Sequence, residues 1–436
     1  MIVTIVGGGA SGILLAINLM RKSSKKITIN IIEKDKENFI TGIAYSTKEL
    51  CHLLNVRASG MSLFSEDGEH FYNWLISNGY TYTKDDFVPR MIFGKYLKDT
   101  YHLLKTITNS ETNEIFDECI NIDIDNSEVI LKSGTKVKSD KIVLALGHIS
   151  PSETNTLRNI DYSKYHRSPW NSDLYDKIEK DEDILLIGSG LTADDITLSL
   201  ISKGHSGKIY SISRNGKQPI IHQHYEKYSS FFEEIRDKDV NTVFSIVKEH
   251  IKRSKNPLGV IDSLRPHNQI IWQQFSKNDK ERFLRHINPL WNTIRHRKPT
   301  QNGERLQELV DKGQLIYLKG RISDFAISDN IIRIEYQTKE YIKNLSVNTI
   351  INCIGPESSY KRIEMPLLKN LFSSGVIRSN ESDMSISVKN WRVISNNSIS
   401  QENLYAIGPL LKGELFESTA IPEIRVQAEK LSEVIL

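Results

Sequence analysis

Cysteine is scarce in this sequence. Three cysteines, Cys51, Cys119 and Cys353, occur among 436 residues, and they lie far apart along the chain. This spacing excludes a Cys-x-x-Cys redox pair and a cysteine zinc site, and it argues against a secreted disulfide scaffold. We predict no metal site.

The sequence also lacks an excess of one charge and a long apolar run. Its formal net charge of +3 is too small to favour a nucleic acid or a membrane surface as partner. A run of about 18 apolar residues, which would span a bilayer, is missing, and the apolar opening has no basic leader typical of a secretion signal. With 39% hydrophobic and 25% charged residues, the composition is that of a soluble globular protein. We therefore predict a cytoplasmic enzyme acting on a small molecule, and the sequence does not indicate an oligomeric state.

A glycine-rich loop follows the first predicted strand. Ile2 to Val6 is a β-branched run typical of a buried parallel strand, and it leads into Gly7-Gly8-Gly9-Ala10-Ser11-Gly12, which matches G-x-G-x-x-G. Gly7 would make the tight turn, Gly9 would let a pyrophosphate approach, and Gly12 would let the helix pack against the strand. Ser11 lies at the start of that helix, whose free N–H groups would bind phosphate.

An acidic residue stands at the expected distance behind this loop. The next predicted strand, Ile27 to Ile32, ends at Glu33, 21 residues after Gly12. A carboxylate there would accept hydrogen bonds from ribose hydroxyls. The order of strand, glycine loop, helix, strand and acid predicts a dinucleotide site, but it does not by itself distinguish FAD from NAD.

A second fingerprint lies near the middle of the chain. The run Asp183 to Ile187 leads into Gly188-Ser189-Gly190-Leu191-Thr192-Ala193, the G-x-G-x-x-A variant, in which we assign Gly188, Gly190 and Thr192 to phosphate binding. The following strand ends at Arg214, 21 residues after Ala193. An arginine can bind the 2′-phosphate of NADP through two charge-assisted hydrogen bonds, whereas a carboxylate would repel it. This favours NADPH over NADH, and the alternative is a merely solvated strand end.

Two nucleotide folds in one chain predict a flavoprotein that binds FAD and takes hydride from NADPH. The predicted fold class is α/β, with two Rossmann-like dinucleotide-binding domains and a helical insertion. We assign residues 1–165 and 345–436 to a discontinuous FAD domain and residues 166–344 to the NADPH domain, with a helical subdomain at about 225–300.

Three predicted strands end in glycine. Those ending at Gly147 and Gly355 would carry the chain between the domains, and Gly147 is a candidate cofactor-binding residue. The third ends at Gly408, before a C-terminal amphipathic helix, and would place backbone N–H groups near the flavin.

The helical insertion is basic, with Arg295 to Lys298 as its densest segment. An anionic substrate or the NADPH phosphates would dock there, or the segment is a solvated helix face. Glu417, near the C-terminal helix, would bind a cationic substrate or cap that helix.

Several stretches share the residues of one protein family: Thr41–Ser46, His52–Val56, Pro89–Leu97, Ile187–Thr192, Arg295–Arg297, Gly408–Pro409 and Phe416–Glu417. With them the chain resembles a largely uncharacterised family of bacterial FAD/NAD(P)-binding oxidoreductases. More distantly it is similar to the flavin-containing and N-hydroxylating monooxygenases, which share the layout of two nucleotide folds.

This distant resemblance implies roles for two residues. Asn55 and Met61 look like an Asn-x-x-x-x-Met segment that lies over the flavin ring, with one extra residue between them. It implies that Asn55 hydrogen-bonds the flavin or the nicotinamide amide and that Met61 contacts the cofactor. His166 to Trp170 has the His-x-x-x-Trp ending of a monooxygenase linker motif, although the Phe and Gly expected before the His are absent.

The resemblance favours an NADPH-dependent monooxygenase. NADPH would reduce FAD, O₂ would form a C4a-(hydro)peroxyflavin, and one oxygen atom would go to a small nucleophilic N or S or to a carbonyl substrate, with water kept away by the protein. One alternative is a reductase or dehydrogenase that uses both cofactors without oxygen transfer. Another is a non-enzymatic flavin-binding sensor, which would need no hydride donor.

Overall fold

The computed structural model describes residues 1–149, 153, 156–158, 160, 162–171, 173–357 and 359–436. Its strands are β1 (Ile2–Val6), β2 (Thr28–Ile32), β3 (Glu111–Ile115), β4 (Cys119–Asp123), β5 (Glu128–Leu131), β6 (Lys136–Lys138), β7 (Lys141–Leu144), β8 (Tyr165–His166), β9 (Ile184–Ile187), β10 (Ile209–Ser213), β11 (Leu315–Lys319), β12 (Arg321–Ser328), β13 (Ile331–Gln337), β14 (Ile342–Val347), β15 (Thr349–Asn352), β16 (Val388–Lys389), β17 (Arg392–Ile394) and β18 (Ser400–Ala406).

The helices lie between these strands and in one long insertion. They are α1 (Ala10–Lys22), α2 (Gly42–Tyr45), α3 (His70–Ser77), α4 (Arg90–Ile107), α5 (Leu191–Ser202), α6 (Phe232–Ile235), α7 (Val240–Ser254), α8 (Pro257–Ser263), α9 (Asn268–Gln274), α10 (Lys277–Arg282), α11 (Asn288–Arg295), α12 (Thr300–Asp311), α13 (Pro366–Ser373), α14 (Lys412–Leu415) and α15 (Ile421–Ile435). Within the described residues, no helix is both long and apolar enough to cross a bilayer.

The first sheet joins the two ends of the chain. Its order is β16-β17-β18-β7-β1-β2-β3, and β18 pairs in parallel with β7, which pairs in parallel with β1. Helix α1 packs against α15, and the side chains of Ile13, Ile17 and Leu431 are fully buried there. The first domain is thus built from both ends of the sequence.

The second sheet has the order β11-β10-β9-β15-β8, and all of its pairings are parallel. Strands β8 and β15 belong to this sheet, so the chain enters the second domain before residue 166 and leaves it after Asn352, not at 345. A short, fully buried strand such as β15 can pair in either parallel sheet, and its sequence does not show which one.

Two small antiparallel sheets, β4-β5-β6 and β12-β13-β14, and a helical insertion that runs from α6 to α11 are added to these two parallel sheets. The insertion has its own apolar core, which includes Phe231, Ile235, Val260 and Trp272. The predicted fold class, an α/β chain with two Rossmann-like domains and a helical insertion, is confirmed.

Candidate dinucleotide-binding sites

The first glycine loop follows β1, and backbone atoms lie directly against two of its glycines. Gly7 has a φ of +112°, and a Cβ on it would lie 2.3 Å from the carbonyl oxygen of Ala145 at the end of β7. A Cβ on Gly12 would lie 2.1 Å from the carbonyl oxygen of Gly7. Since backbone cannot move aside as a side-chain end can, both positions need glycine.

The N-terminus of α1 is open to an anion. Gly9 precedes the helix, and no side chain caps it, so the N–H groups of the first turn stay free for phosphate oxygens. A Cβ on Gly9 would lie 3.3 Å from the Cα of Gly42. Beside Gly42, the hydroxyl of Thr41 is buried without a hydrogen-bond partner in the described structure. No sequence pattern assigns Thr41 a role, because a single threonine carries no fingerprint.

Glu33 lies against the glycine loop as the spacing predicts. Its Oε2 accepts a hydrogen bond from the Gly8 N–H at 2.9 Å, and its Oε1 accepts one from the Asp35 N–H at 3.1 Å. These bonds hold the half-buried carboxylate beside the loop, and each oxygen keeps a lone pair for a ribose hydroxyl.

The C-terminal segment closes over this loop. Gly408 has a φ of +79°, and a Cβ on it would lie 2.6 Å from the hydroxyl oxygen of Ser11. The Gly408 N–H donates to Oε1 of Gln427 at 2.9 Å. The amide nitrogen of Gln427 is buried without a partner among the described residues. No sequence pattern marks Gln427, because it is a single polar residue in an amphipathic helix.

The residues that were expected near the flavin ring differ in how deeply they are buried and in what surrounds them. Met61 is 2% exposed and belongs to the main core, because the 3₁₀ turn Ala58–Gly60 before it turns the chain inward. Met61 therefore offers a cofactor little accessible surface, and its contact with the cofactor stays a prediction. Asn55 is half-buried, and its carbonyl oxygen lies 3.1 Å from Nε2 of His222 in the second domain. Gly147 has a φ of +67° with open space around its Cβ position.

The second glycine loop repeats the geometry of the first. Gly188 has a φ of +120°, and a Cβ on it would lie 2.6 Å from the carbonyl oxygen of Cys353 at the end of β15. Gly190 precedes α5 without a side-chain cap, and the half-buried Thr192 lies in the first turn. The hydroxyl of Ser189 donates to the carbonyl oxygen of Lys217 at 2.6 Å, so this loop is tied to the segment after β10.

Arg214 stands directly after β10, on the segment tied to the second glycine loop. Its side chain is exposed, and no carboxylate of the described residues pairs with it. Lys217, three residues on, is exposed as well. A free guanidinium beside an uncapped helix N-terminus suits a phosphate on the ribose of a dinucleotide.

The positive charges of the basic segment are paired with carboxylates of the same chain. Three of its cations form ion pairs, each with a distant carboxylate: Arg295 with Glu417 at 3.0 Å, Arg297 with Asp262 at 2.8 Å and Lys298 with Asp194 at 3.1 Å. These three cations are therefore occupied by carboxylates, Glu417 is occupied by Arg295, and no side chain caps the N-terminus of α15. The exposed Arg282 and Arg285 do form a solvated face.

The charge of Lys412, which follows the 3₁₀ turn Gly408–Leu411, acts on two histidines, His148 and His296. His148 is exposed, yet surrounding protein and, less strongly, the charge of Lys412 lower its pKa to about 4. Burial also lowers the pKa of His296 to about 4 and that of Lys412 below its ordinary range. Both imidazoles are therefore neutral at pH 7.

Polar contacts fix the two domains against each other. Nη2 of Arg90 in α4 pairs with Asp195 of α5 at 2.9 Å, and Nε2 of His52 lies 2.8 Å from the hydroxyl of Ser199. Cys51 is part of this contact: its Sγ lies 3.7 Å from the same hydroxyl, and burial raises the pKa of its thiol. Cys51 therefore packs on the second domain. The described residues contain no cluster of His, Cys, Asp and Glu suited to a metal ion.

One protein-family model matches part of the chain. Residues 4–149 match the model described as FAD-NAD(P)-binding, which confirms the resemblance drawn from the sequence for the first glycine loop and β1 to β7. No curated protein matches the chain by sequence.

Solved structures match along nearly the whole chain. Ornithine hydroxylase from Pseudomonas aeruginosa has a TM-score of 0.65 at 16% identity, covering 99% of this chain and 98% of that one. Ornithine N-hydroxylase from Kutzneria sp. 744, solved with reduced FAD, NADP⁺ and L-ornithine, has a TM-score of 0.67 at 14% identity, with coverage of 99% and 98%. Bacillithiol disulfide reductase from Staphylococcus aureus has a TM-score of 0.58 at 14% identity, covering 100% and 97%. At these identities the likeness shows the fold.

Proposed function

We propose that this chain is an FAD-dependent, NADPH-consuming monooxygenase. The observation that carries the proposal is the pair of matching glycine loops, in which Gly7 meets Ala145 and Gly188 meets Cys353 across a parallel sheet. Glu33 follows the strand behind the first loop, and Arg214, which pairs with no carboxylate of the described residues, follows the strand behind the second. When bound, FAD would supply the redox chemistry between NADPH, O₂ and the substrate.

The first loop would hold FAD. The free N–H groups at the start of α1 and the backbone of Gly9 would bind the pyrophosphate, and Glu33 would bind the ribose hydroxyls. Thr41 and Gln427 offer polar atoms that lack partners in the described structure. Since Gly408 lies on Ser11, the C-terminal segment would close over the dinucleotide.

The second loop would hold NADPH. Gly188 and Gly190 would let the pyrophosphate approach α5, Thr192 would donate to it, and Arg214 would bind the 2′-phosphate. The direct contacts between the domains, such as Arg90 with Asp195, would keep the nicotinamide end of NADPH in reach of the flavin.

Asn55 would act at the junction of the two domains. Its backbone carbonyl oxygen is held by His222, whose ring is neutral at pH 7 because burial lowers its pKa to about 4. A neutral imidazole has one N–H, which Nε2 donates to this oxygen. The Asn55 amide would then be positioned to hydrogen-bond the flavin or the nicotinamide amide.

The substrate would be a small molecule with a nucleophilic N or S or a carbonyl group. The two ornithine hydroxylases that share the fold act on an amine, which supports oxygen transfer to nitrogen as the first reaction to test. The described residues supply no catalytic triad, and none is needed, because a positioned flavin and the exclusion of water suffice.

A reductase without oxygen transfer is the second candidate, because bacillithiol disulfide reductase shares the fold. The cysteines do not favour disulfide chemistry. All three are free, Cys119 and Cys353 are buried, and burial raises the pKa of all three thiols, which suppresses the reactive thiolate.

One experiment separates the two reactions. The purified flavoprotein is reduced with NADPH without oxygen, and its absorbance is then followed after mixing with O₂. A transient spectrum that differs from those of oxidised and reduced flavin, and that decays faster when substrate is present, is expected of a monooxygenase. Direct return to oxidised flavin with one equivalent of peroxide, for every amine, thioether and ketone tried, would contradict the proposal.

A further inference from the structure

The carboxyl ends of β9, β10 and β11 meet at one edge of the second sheet. Ile187 pairs with Ile212, and Ser213 pairs with Lys319, both in parallel register. The second glycine loop, the segment after β10 and the last residue of β11 therefore lie side by side. In a sheet of parallel strands, ligands bind at this edge, so Lys319 stands at the edge where NADPH would bind.

A tight turn follows β10 and carries Arg214. The N–H of Gly216 donates to the carbonyl oxygen of Ser213 at 3.3 Å, and the N–H of Gly320 donates to the same oxygen at 3.1 Å. Gly216 has a φ of +62°, which favours glycine at this position of the turn. Since one carbonyl oxygen accepts from both segments, the backbone fixes the turn against the end of β11.

The side chain of Lys319 packs on this turn. A Cβ on Gly216 would lie 3.0 Å from the Cβ of Lys319 and 3.5 Å from its Cγ, so the first part of the aliphatic stem lies against the glycine. A lysine can pack its stem in this way while its ammonium group stays in water, and Lys319 is exposed. The turn therefore holds two cations, the guanidinium of Arg214 and the ammonium group of Lys319.

These cations have no counter-ion among the described residues. Arg214, Lys319 and Lys217 are all exposed, and in the part of the chain that the structure describes none of them forms an ion pair with a carboxylate. Like charges that lie together repel one another, and a bound anion removes this repulsion. A phosphate monoester carries a charge of about −1.5 to −2 at pH 7, so a single guanidinium does not neutralise it. A second cation on the same turn would supply the missing charge.

We propose that Lys319 binds the 2′-phosphate of NADPH together with Arg214 and so helps to select NADPH over NADH. The inference rests on the proposed function, since it requires that the second loop binds a nicotinamide dinucleotide. Arg214 would act through two directed hydrogen bonds, and Lys319 would act as a point charge. Lys319 lies on another strand, far along the chain from Arg214, so no fingerprint spacing marks it in the sequence.

Equilibrium binding to the oxidised flavoprotein tests this inference without turnover. Isothermal titration calorimetry gives the Kd of NADP⁺ and that of NAD⁺, which differ only in the 2′-phosphate. Lys319→Gln keeps the part of the stem that packs on Gly216 and removes the charge. The Kd of NADP⁺ should therefore rise about 10-fold, as is typical when a hydrogen bond to a charged group is lost, and the Kd of NAD⁺ should stay unchanged.

Two further variants show whether the effect belongs to this position. Lys312 is exposed and precedes β11 at the opposite end of that strand, so Lys312→Gln makes the same change of charge in the same domain but away from the turn. It should leave the Kd of NADP⁺ unchanged. Lys319→Arg keeps a cation on the turn and should bind NADP⁺ more tightly than Lys319→Gln does.

The outcomes separate this inference from the role of Arg214. If Lys319→Gln binds NADP⁺ as tightly as the wild type while Arg214→Ala binds it more weakly, the inference is overturned and the NADPH site stands. An equal rise in the Kd of NADP⁺ and of NAD⁺ in Lys319→Gln, or a rise for NADP⁺ in Lys312→Gln of the same size, would also overturn it. If the wild type binds NADP⁺ and NAD⁺ equally well, the preference for NADPH in the proposed function fails, and this inference fails with it.

Discussion

The guanidinium of Arg295 forms two hydrogen bonds to the carboxylate of Glu417, at 3.0 and 3.1 Å. Both side chains are nearly buried, with 12% and 10% exposure. The pair joins the end of α11 in the insertion to the segment before α15 in the first domain. Glu423 at the start of α15 extends it, since it contacts both Arg295 and Arg265.

Breaking this pair should destabilise the protein. Arg295→Met would leave the Glu417 carboxylate buried without its partner, which typically costs about 3 kcal/mol. Glu417→Leu should cost less, because Arg295 keeps its contact with Glu423. The double variant Arg295→Met/Glu417→Leu should recover most of this loss, because Glu423 keeps Arg265 as partner. Urea unfolding of the four proteins in a double-mutant cycle measures the coupling. If the loss of unfolding free energy in the double variant equals the sum of the losses in the two single variants, the two side chains act independently.

Gly7→Ala should abolish flavin binding. The new methyl group would lie 2.3 Å from the Ala145 carbonyl oxygen on a backbone with a φ of +112°, so the loop must shift away from the pyrophosphate. We expect purified Gly7→Ala to carry less than about a tenth of the wild-type flavin, measured by absorbance after denaturation. Gly68→Ala is the matched control, because nothing lies within 4 Å of its added methyl group. Full flavin content in Gly7→Ala would refute the assignment of the loop.

Arg214→Ala should shift the preference between the two nicotinamide cofactors. Loss of two charge-assisted hydrogen bonds to the 2′-phosphate should raise the KM for NADPH about 10-fold to 100-fold and leave that for NADH nearly unchanged. Steady-state oxidation of each cofactor measures this. As a control, Arg285→Ala removes an exposed arginine of the insertion and should change neither the KM for NADPH nor that for NADH. An equal rise in the KM for NADPH and for NADH in Arg214→Ala would exclude a role of Arg214 in binding the 2′-phosphate.

His222 should make the protein less stable in acid. Its ordinary pKa of 6.5 falls to about 4 in the folded chain, mainly by burial. As the pH falls from about 6.5 to 4, the unfolded chain therefore binds a proton that the folded chain does not, and stability is lost across this window. The Tm of the wild type should drop by several degrees between pH 7 and 5, and His222→Gln should reduce this drop. His102→Gln, at an exposed position, should keep the wild-type dependence of Tm on pH. If His222→Gln also keeps it, the loss of stability in acid does not come from His222.

The sequence by itself determined the parts of the site that depend on short-range spacing. The run from Ile2 to Gly12, the acid at Glu33 and the second loop from Gly188 to Arg214 each combine a buried strand, a glycine turn and a residue at a fixed distance. This order specifies the local backbone, and the structure places Gly7, Gly12 and Gly188 where only glycine fits. The insertion was predictable for a similar reason, because its apolar residues recur at helical spacing.

Only the tertiary structure decided which distant residues meet. The sequence did not show that β15 joins the second sheet, that Met61 turns into the core, or that Arg295 and Glu417, both candidate substrate ligands, neutralise each other. Parallel strands, buried side chains and ion pairs find partners more than a hundred residues away, and no local pattern encodes such a partner. A buried charge needs its counter-charge wherever the chain brings one, so the folded arrangement fixed the role of the basic segment.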